Sequence, residues 1–130
     1  MKLILKPGDR KVFKRVVTEE DQASFHGEVL HPVCSTFSLA RDFEWASRLF
    51  FLEIKEEGEE GVGTFLSIEH RRPAFVGEEI VFTATVIKIH GNELTCAIEA
   101  KVADQLIATG TTGQKMLTKE KMKQIFSSGK

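Results

Sequence analysis

Apolar side chains recur at intervals of three and four residues after Ser35 and Thr36, which is the spacing of an α-helix. One face of this predicted helix contains Phe37, Ala40, Glu44, Ser47, Phe51 and Ile54, and a parallel set contains Leu39, Phe43, Ala46 and Phe50. Either hydroxyl can cap the first turn, where backbone amides lack partners. The pattern ends in the run EEGEEG at residues 56–61. Apolar groups on most sides indicate a helix that is covered by a sheet.

Five segments have the β-branched, partly alternating composition of strands. One precedes the helix and four follow it, namely residues 11–18, 62–71, 79–90, 93–102 and 105–117. Gly91-Asn92 and Ala103-Asp104 separate the last three of these segments, and both pairs are typical of tight hairpin turns. Since short turns join antiparallel strands, these strands are expected to be antiparallel neighbours in one sheet.

The segments outside these elements are short. Residues 19–32 have no clean period and are predicted to form a loop or a short irregular helix. Residues 119–126 are predicted to form an amphipathic helix that Thr118 caps. No repeat or linker interrupts the chain, so residues 1–130 are expected to form one domain with a helical tail at 118–130. The predicted class is α+β, with about five antiparallel strands around one long helix that must bury its apolar face.

The composition argues against several classes of protein. The 130 residues are 42% hydrophobic and 28% charged, which suits a globular domain with a real core. The formal net charge of −1 gives no basic excess, so no nucleic-acid partner is expected. No apolar stretch suits a secretory signal or a membrane span, so the expected location is the cytoplasm. Cys34 and Cys96 lack metal-ligand spacing and are expected to be reduced, buried thiols.

Three side chains combine chemistry with position. Glu44 places a carboxylate on a largely apolar helix face, either as an active-site group or as a residue whose end reaches water. Thr36 stands where helix amides favour developing negative charge, either to position a substrate carbonyl or simply to cap the helix. His70 ends a predicted strand, and its imidazole is either a general base or an unused group at the rim of the sheet.

Other residues offer weaker chemistry. Gly63, in the run GVG at 61–63, lets backbone approach a ligand, so its amide can serve an oxyanion; an ordinary turn glycine is the alternative. Cys34 is a possible nucleophile with His70 as its base, although a small buried thiol is the commoner role. The remaining histidines, which have the context of surface residues, are His26, His31 and His90.

The segments VCSTFSLARDFEW (33–45) and GVGTFLSIEH (61–70) together resemble the fluoroacetyl-CoA thioesterase family. In that family a catalytic Thr opens the central helix, a catalytic Glu lies eight residues later, and a catalytic His lies twenty-six residues after the Glu. Thr36, Glu44 and His70 have these spacings. The resemblance therefore implies that these three residues form the catalytic site.

The same resemblance covers residues 33–116 and implies a hotdog fold, a homodimer and a thioester substrate, with no metal or cofactor beyond the coenzyme A of the substrate. It also places the backbone amide of Gly63 near the substrate carbonyl. Upstream, HGEVLHPVCS (26–35) does not reproduce the aromatic-rich segment of the fluoroacetyl-specific enzyme. The expected function is therefore that of an acyl-CoA thioesterase for a small acyl group whose identity stays open.

Two other functions stay open at this point. Asp21 lies five residues before His26, which is similar to the acid and histidine pair of hotdog enoyl-CoA hydratases. The Gly and Asn-Pro of that motif are replaced here by Glu20, Ala23 and Ser24, so the match is poor. The other alternative is a module that binds acyl-CoA or another small ligand without catalysis, since fold alone does not determine function.

Overall fold

The computed structural model describes residues 4–25 and 28–128. The helices are α1 (Thr36–Ile54) and α2 (Lys119–Ser128), and one 3₁₀ turn covers Glu19–Asp21. The strands are β1 (Arg10–Val16), β2 (Gln22–Phe25), β3 (Glu28–Cys34), β4 (Glu59–His70), β5 (Glu79–His90), β6 (Glu93–Val102) and β7 (Gln105–Thr118).

Five strands form an antiparallel sheet in the order β1-β5-β6-β7-β4. The predicted bounds of β5 and β6 are confirmed, as are the turns between β5, β6 and β7. Gly91 and Ala103 in these turns have φ angles of 60° and 53°, the left-handed conformation that tight hairpins require. The predicted α+β class, with five strands and one long helix, is confirmed.

The core lies between α1 and the inner face of this sheet. The buried helix side chains include Leu39, Phe43, Phe50 and Ile54. The ring of Phe43 meets that of Phe82 on β5 edge to face, with 6.0 Å between the ring centroids. Each fully buried aromatic or large aliphatic side chain contributes about 1.5–3 kcal/mol to stability. Packing against the sheet thus fixes the rotation of α1 about its axis.

The predicted buried face of α1 is wrong in its first turns. Phe37 is 83% exposed, and Glu44 is exposed as well, whereas Asp42 is only 3% exposed. Asp42 is buried because Arg15 on β1 donates a hydrogen bond from Nε to its Oδ2 at 2.8 Å. A carboxylate with such a partner can occupy a core-facing position that sequence periodicity assigns to apolar residues.

The segment predicted as a loop at residues 19–32 contains more structure than expected. After the 3₁₀ turn, β2 pairs with β3 as a separate two-stranded antiparallel sheet. Its register shifts between Gln22 and Ala23 and again between Ala23 and Ser24. These irregularities remove the alternation by which a strand is recognised in sequence. His26, the candidate from the hydratase-like motif, lies outside the described residues.

β4 pairs with β7 on one side and forms an edge of the five-stranded sheet. Its register shifts between Gly63 and Phe65, so Thr64 is an extra residue, or β-bulge, in this strand. β4 packs beside α1 and leads to His70 at its end. This edge strand therefore carries two of the four site residues that the sequence singled out.

A helix is present in the segment where the sequence predicts a helical tail: α2 covers Lys119–Ser128, and residues 129 and 130 lie outside the described residues. The backbone amide of Lys121 donates to the Thr118 hydroxyl at 3.0 Å, so Thr118 caps α2 as expected. The description of residues 1–130 as one domain stays a prediction.

Candidate active site

The start of α1 is fixed by Ser35 and not by Thr36. The Ser35 hydroxyl accepts a hydrogen bond from the Ser38 amide at 3.0 Å, which makes Ser35 the N-cap. The Ser35 amide in turn donates to the carbonyl of Asp21 at 2.8 Å. Because Ser35 already satisfies the first turn, the Thr36 hydroxyl is not used as a cap.

Thr36 and His70 form a hydrogen-bonded pair at this helix N-terminus. The distance from Thr36 Oγ1 to His70 Nδ1 is 3.0 Å. Either the hydroxyl donates to an unprotonated Nδ1, or a protonated Nδ1 donates to the hydroxyl oxygen. The other ring nitrogen, Nε2, is buried and has no hydrogen-bond partner among residues 4–25 and 28–128. The imidazole thus keeps one nitrogen for a further donor or acceptor.

Glu44 and Gly63 form the second pair of predicted site residues. A Cβ atom placed on Gly63 would lie 3.1 Å from Oε1 of Glu44, so the carboxylate lies directly over the glycine backbone. A side chain at position 63 would displace the carboxylate. Within the described part of the chain, the Glu44 carboxylate has no hydrogen-bond or ion-pair partner, and the side chain is exposed.

These two pairs are separate within one chain. Thr36 and Glu44 are eight residues apart on α1, which corresponds to about 12 Å along the helix axis. In the described residues no hydrogen bond links Glu44 to Thr36 or His70. The structure therefore brings Thr36 to His70 and Glu44 to Gly63, but it does not join the two pairs.

A cavity of about 240 Å³ opens beside Glu44. The residues that line it include Glu44, Trp45, Arg48, Gly63, Thr112 and Gln114. Thr112 and Gln114 were missed from the sequence, although both occupy inward positions of β7, where apolar residues are the norm. The run TGTTGQ at residues 109–114 has no apolar alternation, so the sequence did not show that these two polar side chains face inward.

A second polar cluster lies near the other flank of α1 and involves Arg15, Asp21 and Asp42. Arg15 Nη1 donates to Asp21 Oδ2 at 2.6 Å, and Arg15 Nε donates to Asp42 at 2.8 Å. Burial alone would raise the pKa of Asp21, but hydrogen bonds from Arg15, the Ser38 hydroxyl and the Thr18 amide outweigh it and hold the pKa well below its usual range. Burial raises the pKa of Asp42, and Arg15 offsets only part of that effect.

This cluster bears on the hydratase alternative. Asp21 is 3% exposed and is hydrogen-bonded through both carboxylate oxygens. A carboxylate whose two oxygens both accept hydrogen bonds is a weak general base, because protonation would break those hydrogen bonds. The bonding of Asp21 therefore favours a structural role for this residue.

Cys34 lacks the properties of a nucleophile. Its thiol is fully buried, and burial raises the pKa of Cys34 to about 11. Burial likewise raises the pKa of Cys96 to about 12. The thiolate is the reactive form, and it is scarce near neutral pH when the pKa is this high.

Basic residues lie near the candidate site residues at two places, one beside His70 and one at the cavity. Arg71 and Arg72 follow His70 directly; Arg71 is 3.5 Å from Glu69, and Arg72 donates to Gln105 at 3.3 Å. Arg48 at the cavity donates to Glu60 at 2.6 Å. All of these guanidinium groups already contact a partner.

Among residues 4–25 and 28–128, no group of three or more His, Cys, Asp and Glu side chains is arranged to hold a metal ion. None of the described helices is long and apolar enough to cross a membrane.

Comparison with known proteins gives consistent matches. The sequence model of a family described as fluoroacetyl-CoA-specific thioesterase matches residues 17–120. One similar solved structure is that of a hypothetical protein of Thermus thermophilus, which is described as a thioesterase superfamily member. It is 33% identical with a TM-score of 0.89, and the match covers 94% of this chain and 90% of that one. The fluoroacetyl-CoA thioesterase FlK is 20% identical with a TM-score of 0.86, over 97% and 98%.

A hot-dog-like protein from Thermanaerovibrio acidaminovorans is 19% identical with a TM-score of 0.83, over 91% of this chain and 87% of that one. None of the curated proteins matches the chain. The structural likenesses confirm that the fold is the hotdog fold.

Proposed function

The chain belongs to the fluoroacetyl-CoA-specific thioesterase family and is a thioester hydrolase, and on that premise we propose that it hydrolyses a small acyl-CoA through Thr36, Glu44 and His70. The observation that carries this proposal is the 3.0 Å contact between the Thr36 hydroxyl and His70 Nδ1 at a helix N-terminus that Ser35 already caps. A hydroxyl and an imidazole held together in this way form a nucleophile and base pair, or a substrate-positioning group and a base.

Solved relatives support coenzyme A esters as the substrate class. One structure of a FlK mutant contains fluoroacetate and CoA, and another contains acetyl-CoA. At about 20% identity these likenesses show that the fold is shared, and the acyl selectivity of this chain stays open. We propose a small acyl group because the cavity of about 240 Å³ is below the usual range of roughly 300–1,000 Å³ for ligand pockets.

In the proposed mechanism, the thioester carbonyl lies over the start of α1. The Gly63 amide stabilises the negative charge that develops on the carbonyl oxygen, and the Thr36 hydroxyl is a second donor when water is the nucleophile; each such donor contributes about 3 kcal/mol. His70 removes a proton from the attacking water and returns it to the departing thiolate of coenzyme A. Glu44 stabilises the imidazolium that forms between these two transfers. If the Thr36 hydroxyl attacks instead, an acyl ester forms on Thr36, coenzyme A leaves, and a water molecule activated by His70 then hydrolyses the ester.

Direct attack by the Glu44 carboxylate is the other route within this proposal. That route forms an acyl anhydride at Glu44, releases coenzyme A and needs a water molecule to complete hydrolysis. Mass spectrometry of enzyme quenched during turnover distinguishes the two routes. An acyl adduct on Glu44 supports direct attack, whereas an unmodified Glu44 at partial turnover supports the general-base route.

Because Glu44 and His70 lie apart within one chain, we propose that the site is completed by a second copy of the chain. β4 is an edge strand, and Phe65 on it is 49% exposed. Phe37 beside Thr36 and Trp45 beside Glu44 also expose large apolar surfaces, which is typical of an interface. An antiparallel pairing of two β4 strands about an axis between Leu66 and Ser67 would set Gly63 of one copy opposite His70 of the other.

Subunit mixing tests this arrangement. His70→Ala and Glu44→Ala variants, unfolded together and refolded at equal amounts, form mixed dimers in which one of the two sites has both wild-type residues. The mixture is expected to regain about a quarter of wild-type activity. Activity that stays at the level of the separate variants contradicts a shared site. A molar mass of one chain by light scattering contradicts the dimer itself.

The function is tested first by thiol release from a panel of short, branched and aromatic acyl-CoAs. Release that disappears in His70→Ala supports the thioesterase proposal and the site together. A folded wild-type protein that releases no thiol from any ester, but binds acyl-CoA in a calorimeter, would support a non-catalytic binding module instead.

A further inference from the structure

Two polar side chains stand on the inner face of β7, where this fold places its core. Thr112 is 1% exposed and Gln114 is 6% exposed. Both line the cavity beside Glu44 and Gly63, and Gln114 lies directly opposite Gly63 in the pairing of β7 with β4. Polar groups at buried positions are costly unless they are hydrogen-bonded, so their partners decide what they do.

The two residues differ in their partners. The Gln114 side chain donates from Nε2 to the Ser47 hydroxyl at 2.7 Å, and Ser47 donates onward to the carbonyl of Glu44 at 3.0 Å. Gln114 is thus held in place by the helix that carries Glu44. Thr112 is different, because its Oγ1 is buried and has no hydrogen-bond partner among the described residues. Thr112 therefore lines the cavity and carries a buried hydroxyl with unused bonding capacity.

We propose that the Thr112 hydroxyl is a specificity-determining contact for the acyl group, and that the preferred esters carry a neutral oxygen on the third carbon, as a hydroxyl or a keto group. This inference rests on the proposed thioesterase function and names a substrate class for it. A ligand oxygen in the cavity supplies the hydrogen bond that Thr112 lacks. An alkyl group of the same size leaves the hydroxyl unbonded and binds less well.

The position of Thr112 along β7 suits such an oxygen. Thr112 is two residues from Gln114, which corresponds to about 7 Å of strand. Gln114 faces Gly63, where the proposal places the thioester carbonyl. A chain that extends from that carbonyl along β7 brings an oxygen on the third carbon within hydrogen-bond reach of Thr112.

The charges around the cavity select a neutral group over a carboxylate. Arg48 is engaged by Glu60 at 2.6 Å, and Arg41 contacts Asp21 at 3.3 Å. The Glu44 carboxylate, in contrast, is without an ion-pair partner in the described part of the chain. An anionic acyl group would meet this negative charge, which repels it. A hydroxyacyl or oxoacyl group forms the hydrogen bond to Thr112 without that repulsion.

The test compares kcat/KM for 3-hydroxybutyryl-CoA and butyryl-CoA. Wild type is expected to prefer the hydroxylated ester. Thr112→Val, which has the same shape without the hydroxyl, is expected to lower the ratio of the two kcat/KM values about five- to ten-fold, as the loss of one hydrogen bond predicts. Thr112→Ser retains the hydroxyl and is expected to keep the ratio. Thr111→Val, on the opposite face of β7, is the matched control and leaves it unchanged.

The possible failures are distinguishable. If both esters are hydrolysed and the ratio of their kcat/KM values is the same in wild type and Thr112→Val, this inference is overturned and the thioesterase proposal stays intact. Wild-type preference for butyryl-CoA overturns it as well. Hydrolysis of neither ester, with none from the wider acyl-CoA panel, contradicts the thioesterase proposal and removes the inference with it.

Thermal unfolding gives a readout that does not depend on activity. Because Thr112→Val removes a buried hydroxyl without a partner, Tm is expected to stay the same or to rise by a few degrees. A clear fall in Tm for Thr112→Val, but not for Thr112→Ser, would show that the hydroxyl is bonded within the protein. That result also counts against the inference.

Discussion

Two groups of polar side chains each include a residue in the first half of α1, and they differ in whether their charged groups are paired with a group of opposite charge. In the first, Arg15 bridges Asp21 and Asp42 through contacts of 2.6 and 2.8 Å, so both buried acids have a charged partner. In the second, Thr36 contacts His70, but His70 Nε2 is buried without a partner among the described residues. Each group contains one residue of α1, namely Asp42 in the first and Thr36 in the second.

The difference separates residues that hold the fold from residues that are available for chemistry. Buried acids that are paired with a guanidinium stabilise one arrangement, and protonation of Asp21, whose two oxygens both accept hydrogen bonds, would break those bonds. Groups with unused bonding capacity destabilise the empty protein slightly and gain their partners when substrate binds. Changes in the first group should therefore affect stability, and changes in the second should affect turnover.

The largest expected effect is the loss of activity in His70→Ala. General-base catalysis typically contributes 10²- to 10⁴-fold, so kcat is expected to fall by about that factor. Because His70 is only half-buried at the end of β4, Tm is expected to change by no more than a few degrees. Steady-state kinetics and thermal unfolding measure the two quantities. His90→Ala, an exposed histidine at the end of β5, is the control.

Arg15→Met should show the opposite behaviour. It leaves Asp21 and Asp42 buried without their common cation, and breaking such a partly buried network is expected to cost about 2–4 kcal/mol in the free energy of unfolding. Urea unfolding measures this cost, and Lys14→Met on the exposed face of β1 is the control. If Arg15→Met unfolds at the same urea concentration as wild type, the cluster does not stabilise the fold.

Gly63→Ala tests the other pair of candidate site residues, Gly63 and Glu44. The new methyl carbon would lie 3.1 Å from Oε1 of Glu44, so the carboxylate must move by a few tenths of an ångström. A displacement of this size in a catalytic group is expected to lower kcat/KM about ten-fold, with little change in Tm. Kinetic constants equal to those of wild type would mean that the position of Glu44 over residue 63 is unimportant.

The smallest expected effect is a change in how stability depends on pH. The pKa of Asp21 in the folded protein is held well below its usual range, so the stabilisation from Asp21 is present above about pH 4 and is lost as the pH falls further. The pKa of Asp42 is raised by burial, so its contribution is present at low pH and is lost as the pH rises. Asp21→Asn should therefore flatten the acid-side loss of stability.

Asp42→Asn is the matched comparison, since its removal should make that acid-side loss steeper. Urea unfolding at several values between about pH 3 and pH 7 measures both slopes. Equal slopes in wild type and both variants would contradict the assignment of opposite shifts to the two acids.

Local signals in the sequence predicted most of the large sheet. The turn at Gly91-Asn92 and the strands on either side of it are specified by residues that are close together in the sequence. The bounds of these strands could therefore be predicted without the structure. The cap of α2 by Thr118 is local for the same reason. The antiparallel pairing of β2 with β3 was missed because its register shifts twice within four residues, which leaves no period to detect.

The candidate site was predicted only in part. The spacing of Thr36, Glu44 and His70 came from resemblance to a family, and the structure joins Thr36 to His70 but leaves Glu44 apart. The buried position of Asp42 depends on Arg15, which lies 27 residues earlier in the chain. Contacts across such distances are set by tertiary packing, and a helical period cannot report them.

The bulge at Thr64 determines which side chains of β4 face the helix. Gly61 and Gly63, at odd positions, lie against Phe51 and Glu44 of α1. Beyond the bulge the even positions face inward, and His70 meets Thr36. In a regular strand, residues seven apart would point to opposite faces. The inward-facing positions of β4 are therefore odd-numbered before residue 64 and even-numbered after it. Deleting this single residue, which forms no part of the proposed chemistry, would leave the pairs on either side unchanged and the histidine still facing its hydroxyl. A strand that kept the residue but paired it regularly would instead turn the histidine away.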